Sequence, residues 1–291
     1  MRTQAIVVGT DGTQWSAAAV DWAAREARRR HRPLRIVYAF DWDWHESRYD
    51  IGSEYIDVTR ELAEAVTADA ARRAREVAPG VTAVAQAVTG RAGAELLAES
   101  REAALLVVGS RGRGGFAGLL LGSVSQHLAT HAACPVVVVR GRHDAIGGPV
   151  VAGVDDSAAA DHVLETAFDA AAARGCALLA LRAYLPAVPL WLTGVPIAGV
   201  DTPEQDAAER VLLDEQLAPW RAKYPDVPVG VVLTHESAAA ALVAASHDAQ
   251  LVVVGSRGHG VVAATLVGSA GLHLLHHAHC PVHIVRQGER R

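Results

Sequence analysis

Residues 109–123 read GSRGRGGFAGLLLGS, and residues 255–269 read GSRGHGVVAATLVGS, 146 positions further on. Both copies keep G-x-x-G, nine residues, then G-S, while the side chains between the fixed points exchange freely. The first copy follows the apolar run ALLVV and precedes a stretch with helical periodicity. Glycines there allow positive φ and a close backbone approach, and the N-terminus of the next helix offers N–H groups and a dipole that favour an anion. The segment is not a Walker A loop, since no Gly-Lys-Ser/Thr closes it. Its spacing also differs from the dinucleotide G-x-G-x-x-G turn.

Two more landmarks repeat in the same order. VVGTDGTQWS from Val7 matches VAGVDDSAAA from Val151, and CPVVVVR from Cys134 matches CPVHIVR from Cys280, at offsets of 144 and 146. One unit is therefore written twice, across a short Gly/Pro linker, GRHDAIGGP, at residues 141–149. The domains are set at 1–142 and 148–288. Within a unit, buried-type apolar strands alternate with helical stretches: AIVVG, then SAAAVDWAAREARRR, then LRIVYAF, and so on to PVVVV. That alternation predicts a parallel sheet with helices on both faces. In such sheets ligands sit beyond the carboxyl ends of the strands, at the switch point.

The bulk properties narrow the classes. The chain has 291 residues, 51% of them hydrophobic and only 5% aromatic, so the cores are built from Ala, Val, Leu and Ile. A net charge of −5 argues against a general nucleic-acid binder. Lys223 is the only lysine. The three cysteines, Cys134, Cys176 and Cys280, show no C-x-x-C spacing and read as reduced, mostly buried thiols. No apolar run approaches the ~20 residues of a membrane helix, and no leader-like stretch precedes Asp11. A cytoplasmic protein, off the membrane, is expected.

The G-x-x-G-x(9)-G-S frame after strand four, VGTD at strand one and CPVVVV at strand five together resemble the universal stress protein family, over essentially the whole chain. The resemblance implies two tandem flavodoxin-like, adenine nucleotide alpha hydrolase-like domains, each a five-stranded parallel sheet of order 3-2-1-4-5. It implies ATP as the bound cofactor, with Mg²⁺ as a companion ion, and phosphates on the glycine loop. The strand-one aspartate lies near the adenosine, and the end of strand two closes over the base. Carried onto this chain, the first site comprises Gly9, Thr10, Asp11 and Ala39, with Gly109, Ser110, Arg111, Gly112, Arg113, Gly114, Gly115, Gly122, Ser123, Val124 and Ser125. The second comprises Gly153, Val154, Asp155 and Ala183, with Gly255, Ser256, Arg257, Gly258, His259, Gly260, Val261, Gly268, Ser269 and Ala270. Ser123 and Ser125 add hydroxyls that could donate to a phosphate. Gly271 stands where Ser125 would recur, His259 replaces Arg113, and Gly90 corresponds to His235, so the second site departs from the first.

Other constellations carry less. HLLHHAHCPVH, residues 273–283, is rich in histidine, but His127, His131 and Cys134 hold matching places in the first half, so inherited positions explain it better than a metal site. The basic run REARRRHRPLR, residues 25–35, ends a helix, where cations offset the dipole. The strand-two exits differ: DWDWHESRYD is aromatic and charged, and YLPAVPLWLTGVPIAGV is apolar and proline-rich, suiting a lid or partner surface. Paired carboxylates, a Ser/His pair and a phosphate-stabilising lysine are all missing, so no catalytic residue is assigned. The expected function is an ATP-binding stress-response regulator acting by ligand-dependent change of state, with a homo-oligomer or another protein as partner. The alternatives are a slow ATPase or nucleotidyl transferase of the same fold, and an interaction protein with vestigial sites.

Overall fold

A computed structural model of the chain describes residues 4–40, 53–113, 120–186, 202–256 and 268–286, with the backbone alone for 53–59. The chain divides into two compact units, Met1–His143 and Asp144–Arg291. In the first unit the order is β1 (Ile6–Gly9), α1 (Gln14–Arg29), β2 (Leu34–Phe40), α2 (Ser53–Val77), β3 (Ala83–Thr89), α3 (Ala92–Ser100), β4 (Leu105–Gly109), α4 (Ser123–His131) and β5 (Val136–Val139). The second unit repeats it as β6 (Val150–Gly153), α5 (Ala160–Arg174), β7 (Leu178–Ala183), α6 (Pro203–Lys223), β8 (Val229–Thr234), α7 (Ala238–Ala245), β9 (Leu251–Gly255), α8 (Ser269–His277) and β10 (Val282–Val285).

Within the first unit the strands run β3-β2-β1-β4-β5, and within the second β8-β7-β6-β9-β10. These strands pair in parallel, with Ile6 opposite both Leu34 and Leu105, and Val150 opposite both Leu178 and Leu251. Each unit thus has the 3-2-1-4-5 order. The first helix of each unit packs with the second, and the third with the fourth. Between those layers every residue of β1, β4 and β5 is buried. That is why these strands read as unbroken apolar runs rather than alternating ones.

Local chemistry sets the ends of the elements. Thr13 caps α1 by accepting the Ser16 N–H, and Arg28 and Arg29 occupy its last turn, where cations offset the dipole. Gly175 ends α5 in the left-handed conformation, at φ 62°. Gly148, just ahead of β6, has φ +96°, and a Cβ there would lie 1.9 Å from the Asp248 carbonyl oxygen. No other residue fits. Gln250 fastens the same turn, its Nε2 donating to the Gly148 carbonyl at 2.7 Å.

A bidentate ion pair joins the helices of the first unit, Arg73 Nε and Nη2 donating to the two Asp21 oxygens at 2.6 and 2.7 Å. The second unit uses aromatic packing instead. Phe168, wholly buried on α5, stacks with Trp220 and Tyr224 at centroid distances of 6.3 and 5.6 Å. Phe168→Ala removes the centre of that stack and should cost about 3–5 kcal/mol in denaturant unfolding. A loss below about 1 kcal/mol would mean that the Phe168 ring is not buried in this stack in solution.

Candidate functional site

The carboxyl ends of β1 and β4 lie side by side, and the segments leaving them meet at Asp11. Its Oδ1 accepts from the Thr13 backbone N–H at 3.0 Å and the Thr13 hydroxyl at 2.6 Å. Its Oδ2 accepts from the Arg113 backbone N–H at 2.9 Å. The carboxylate therefore ties the first turn of α1 to the glycine loop. Burial pulls its pKa upward. The hydrogen bonds from Thr13, Ser16 and the Arg113 backbone outweigh that and hold the carboxyl below its ordinary value.

The loop is closed by main chain. Gly122 N–H donates to the Ser110 carbonyl at 2.7 Å, and Ser110 N–H to the Val139 carbonyl at 2.9 Å. The second unit repeats both bonds, Gly268 to Ser256 at 2.9 Å and Ser256 to Val285 at 2.8 Å. Gly122 and Gly268 are then the N-caps of α4 and α8, and neither helix has a side-chain cap. Their first-turn N–H groups, from Ser123, Val124 and Ser125 and from Ser269, Ala270 and Gly271, suit an anion. Ser123 and Ser269 are exposed, at the mouth.

Several residues chosen from the sequence turn out to hold the scaffold. Gly109 and Gly112 are not at positive φ; in this region it is Gly12 that is, at +78°. A Cβ on Gly109 would meet the Trp15 carbonyl oxygen at 2.6 Å, so that glycine seats α1 on β4. A Cβ on Gly112 would meet Asp11 Oδ2 at 2.6 Å. Gly9 faces Leu96 at 2.7 Å, and Gly153 faces Leu242 and Val254, each at 3.0 Å. Ser125, expected to offer its hydroxyl to a phosphate, is buried and donates to the Gly109 carbonyl at 2.6 Å. Thr10 is buried too, its hydroxyl donating to Ser16 Oγ at 3.2 Å. Val154 and Ser256 are likewise buried. Gly255 ends β9. Ala39 and Ala183 lie half-buried at the ends of β2 and β7. Gly114, Gly115, Arg257, Gly258, His259, Gly260 and Val261, and most of both strand-two exits, lie outside the described residues.

Sequence reading missed four residues of this region: Thr13, Ser16, Trp15 and Tyr38. Arg113 Nη1 donates to the Tyr38 hydroxyl at 3.0 Å, and its guanidinium lies 5.6 Å from that ring's centroid. Arg111 lies 5.0 Å from the Trp15 ring centroid. The D-x-T and D-x-S spacings at Asp11 and Asp155 were a legible signal, because an aspartate readily accepts from the backbone two residues on. Ser157 repeats the contact, its N–H and hydroxyl reaching Asp155 Oδ1 at 3.0 and 2.6 Å.

The second unit diverges where β7 ends. Arg182 replaces Tyr38 and is buried in a salt bridge to Glu209 at 2.7 Å. It also donates to Gln216, whose Nε2 donates to the Asp155 carbonyl at 3.2 Å. Above it, Tyr184 donates to Asp206, and His235 Nε2 lies 2.9 Å from the same carboxylate. Those bonds hold the Asp206 carboxyl down, while burial, then the bond to Asp206, push the Tyr184 phenol up. A shallow depression of about 480 Å³ opens beside this cluster, between Asp206, Arg210 and Glu236. His235 stands where the first unit has Gly90 at φ +147°, so the two turns differ in backbone as well as side chain. Among the described residues no group of three or more His, Cys, Asp or Glu is placed to hold a metal, the histidines of α8 included.

The sequence pattern of the Universal stress protein family matches residues 2–140 and again 148–286. A universal stress protein of Mycobacterium tuberculosis is 36% identical over 97% of this chain and 96% of its own length. One of Mycobacterium bovis is 36% identical over 97% of both chains. The crystal structure of a universal stress protein from Archaeoglobus fulgidus superposes with a TM-score of 0.74 at 20% identity, covering 99% of this chain and all of that one, which is a likeness of fold.

Two outcomes follow from the geometry. Gly109→Ala sets a methyl against backbone and should cost about 1–3 kcal/mol of stability without any ligand, while Gly112→Ala meets the tip of a side chain rather than backbone and should cost less. Because the folded-state pKa of Asp11 is the lowered one, its charge stabilises the first unit above about pH 4 and that contribution fades as pH falls through the folded value. The stability gap between the parent and Asp11→Asn should therefore shrink between about pH 6 and about pH 3; a constant gap would show that the charge is immaterial.

Proposed function

The chain belongs to the universal stress protein family, and from that premise we propose that it is an ATP-binding regulatory protein with one nucleotide site in each unit. The observation that carries this reading is the glycine loop closed onto an uncapped helix N-terminus in both units, a main-chain cradle that suits phosphate. In the first unit Arg111 and Arg113 add cations beside it, and the stacked pair Tyr38 and Phe40, centroids 6.3 Å apart, offers an apolar flank for a base. Ser123, Val124, Arg111 and Arg113 would hold the phosphates. Mg²⁺ is proposed only as a companion of the phosphate oxygens.

Asp11 supports a binding role rather than turnover. Its oxygens are engaged with Thr13 and Arg113, so it orders the loop and is poorly placed to act as a base. Regulation follows if ATP selects one arrangement of the glycine loop and thereby the partners or assembly states that go with it. The proposed setting is the cytoplasm, with a second copy or another protein as partner; no described helix is long and apolar enough to cross a membrane.

The first site should be the tighter, because Ser125 fastens the Gly109 carbonyl and Gly271 has no hydroxyl to do so. The decisive experiment is to denature the purified protein and identify what it releases. Intact ATP is expected; ADP or AMP would indicate turnover, and no nucleotide would favour an interaction protein. Asp11→Ala removes charge-assisted hydrogen bonds that order the loop and should weaken ATP at one site by about tenfold or more in calorimetry.

A further inference from the structure

Arg113 rests beside Tyr38 and Gly12, at the ends of β2 and β1. Its backbone N–H is fixed by Asp11, so the side chain pivots from a held point. Its guanidinium lies over the Tyr38 ring and donates to the Tyr38 hydroxyl at 3.0 Å. Gly12 makes room for it, since a Cβ there would come within 3.2 Å of Nη2. The guanidinium thus bridges the ends of β1 and β2, across the side of the crevice that an adenosine would use. Arg111 lies over the Trp15 ring, 5.0 Å from its centroid. Among the described residues neither arginine is paired with a carboxylate. Both rest on π-faces, a partner that a more strongly negative group can replace.

We propose that Arg113 is a selectivity latch, a residue that must leave Tyr38 before a nucleoside can seat and that leaves it for the phosphates of a nucleotide. This rests on the nucleotide reading above and adds to it a rule of selection. A bare nucleoside must break the contact with Tyr38 and offers the guanidinium nothing in return. A nucleotide breaks the same contact and replaces it with charge-assisted hydrogen bonds. The first site therefore favours phosphorylated ligands beyond what its helix N-terminus gives. The latch is confined to the first unit, because the counterparts of Trp15 and Tyr38 are Ala159 and Arg182, and Arg182 is held in its own salt bridge to Glu209.

The test is calorimetric titration of the full-length parent, Arg113→Met and Arg113→Lys with ATP and, separately, with adenosine. In the parent, one of two sites should show the larger preference for ATP over adenosine. Arg113→Met should lower that preference at that site by about tenfold or more, with ATP weaker and adenosine as tight or tighter. Arg113→Lys keeps the charge and should retain most of the preference. A merely structural role would weaken both ligands together. An unchanged ratio in Arg113→Met, or weaker adenosine binding, would overturn the latch while leaving ATP binding intact. A parent that binds neither ligand would overturn the nucleotide reading itself, and the latch with it.

Discussion

One carboxylate joins two parts of the first unit that are 102 positions apart in the chain. Asp11 stands at the end of β1, and the sheet order brings the end of β4 beside it. Each oxygen then has a separate duty, one toward α1 and one toward the glycine loop. An ionised carboxylate suits the post because it accepts several N–H and O–H donors at once, and its charge-assisted bonds are stronger than those of a neutral amide. The surrounding glycines follow from that arrangement. Gly112 lies too near the carboxylate to carry a side chain without displacing it, and Gly109 lies too near the backbone of α1.

The two units share this frame and differ in what they build upon it. Gly9 against Leu96 and Gly153 against Leu242 are the same contact made twice, as are the loop closures. At the carboxyl ends of β2 and β7 the likeness ends. Tyr38 and Phe40 form an aromatic flank in the first unit; Arg182 and Tyr184 enter a polar network with α6 in the second. A buried arginine, held by Glu209 and Gln216, fixes β7 to α6 and through Gln216 to the Asp155 carbonyl. Duplication preserved the loop closures and the aspartate turn, and released the side chains where the second strand ends.

The fold was legible because its signals are strong and local. Short, valine-rich apolar runs ending in glycine, such as AIVVG and LLVVG, suit strands covered on both faces, and their alternation with helical periods leaves few topologies. LRIVYAF became β2 residue for residue. The site was legible in outline, since the repeated glycine frame marks the place. The duties of individual residues were not. Ser125 looked like a donor to a phosphate and Thr10 like a neighbour of the nucleoside, because a hydroxyl in a sequence advertises no direction, yet both turn inward. Tyr38 gave no signal, because a tyrosine in an apolar strand reads as core until a distant arginine is brought to it. The Tyr184, Asp206 and His235 cluster draws on three elements, and no spacing in the sequence announces it.

The closure of each glycine loop joins one peptide group to another, Gly122 to Ser110 and Gly268 to Ser256. A clasp of this kind has no side chain to lose. Exchanging the Ser110 or Ser256 side chain leaves the bond itself in place, so the closure is inherited more faithfully than the letters. Mutational robustness of that sort gives a duplicated unit room to retune one copy while the other keeps its task.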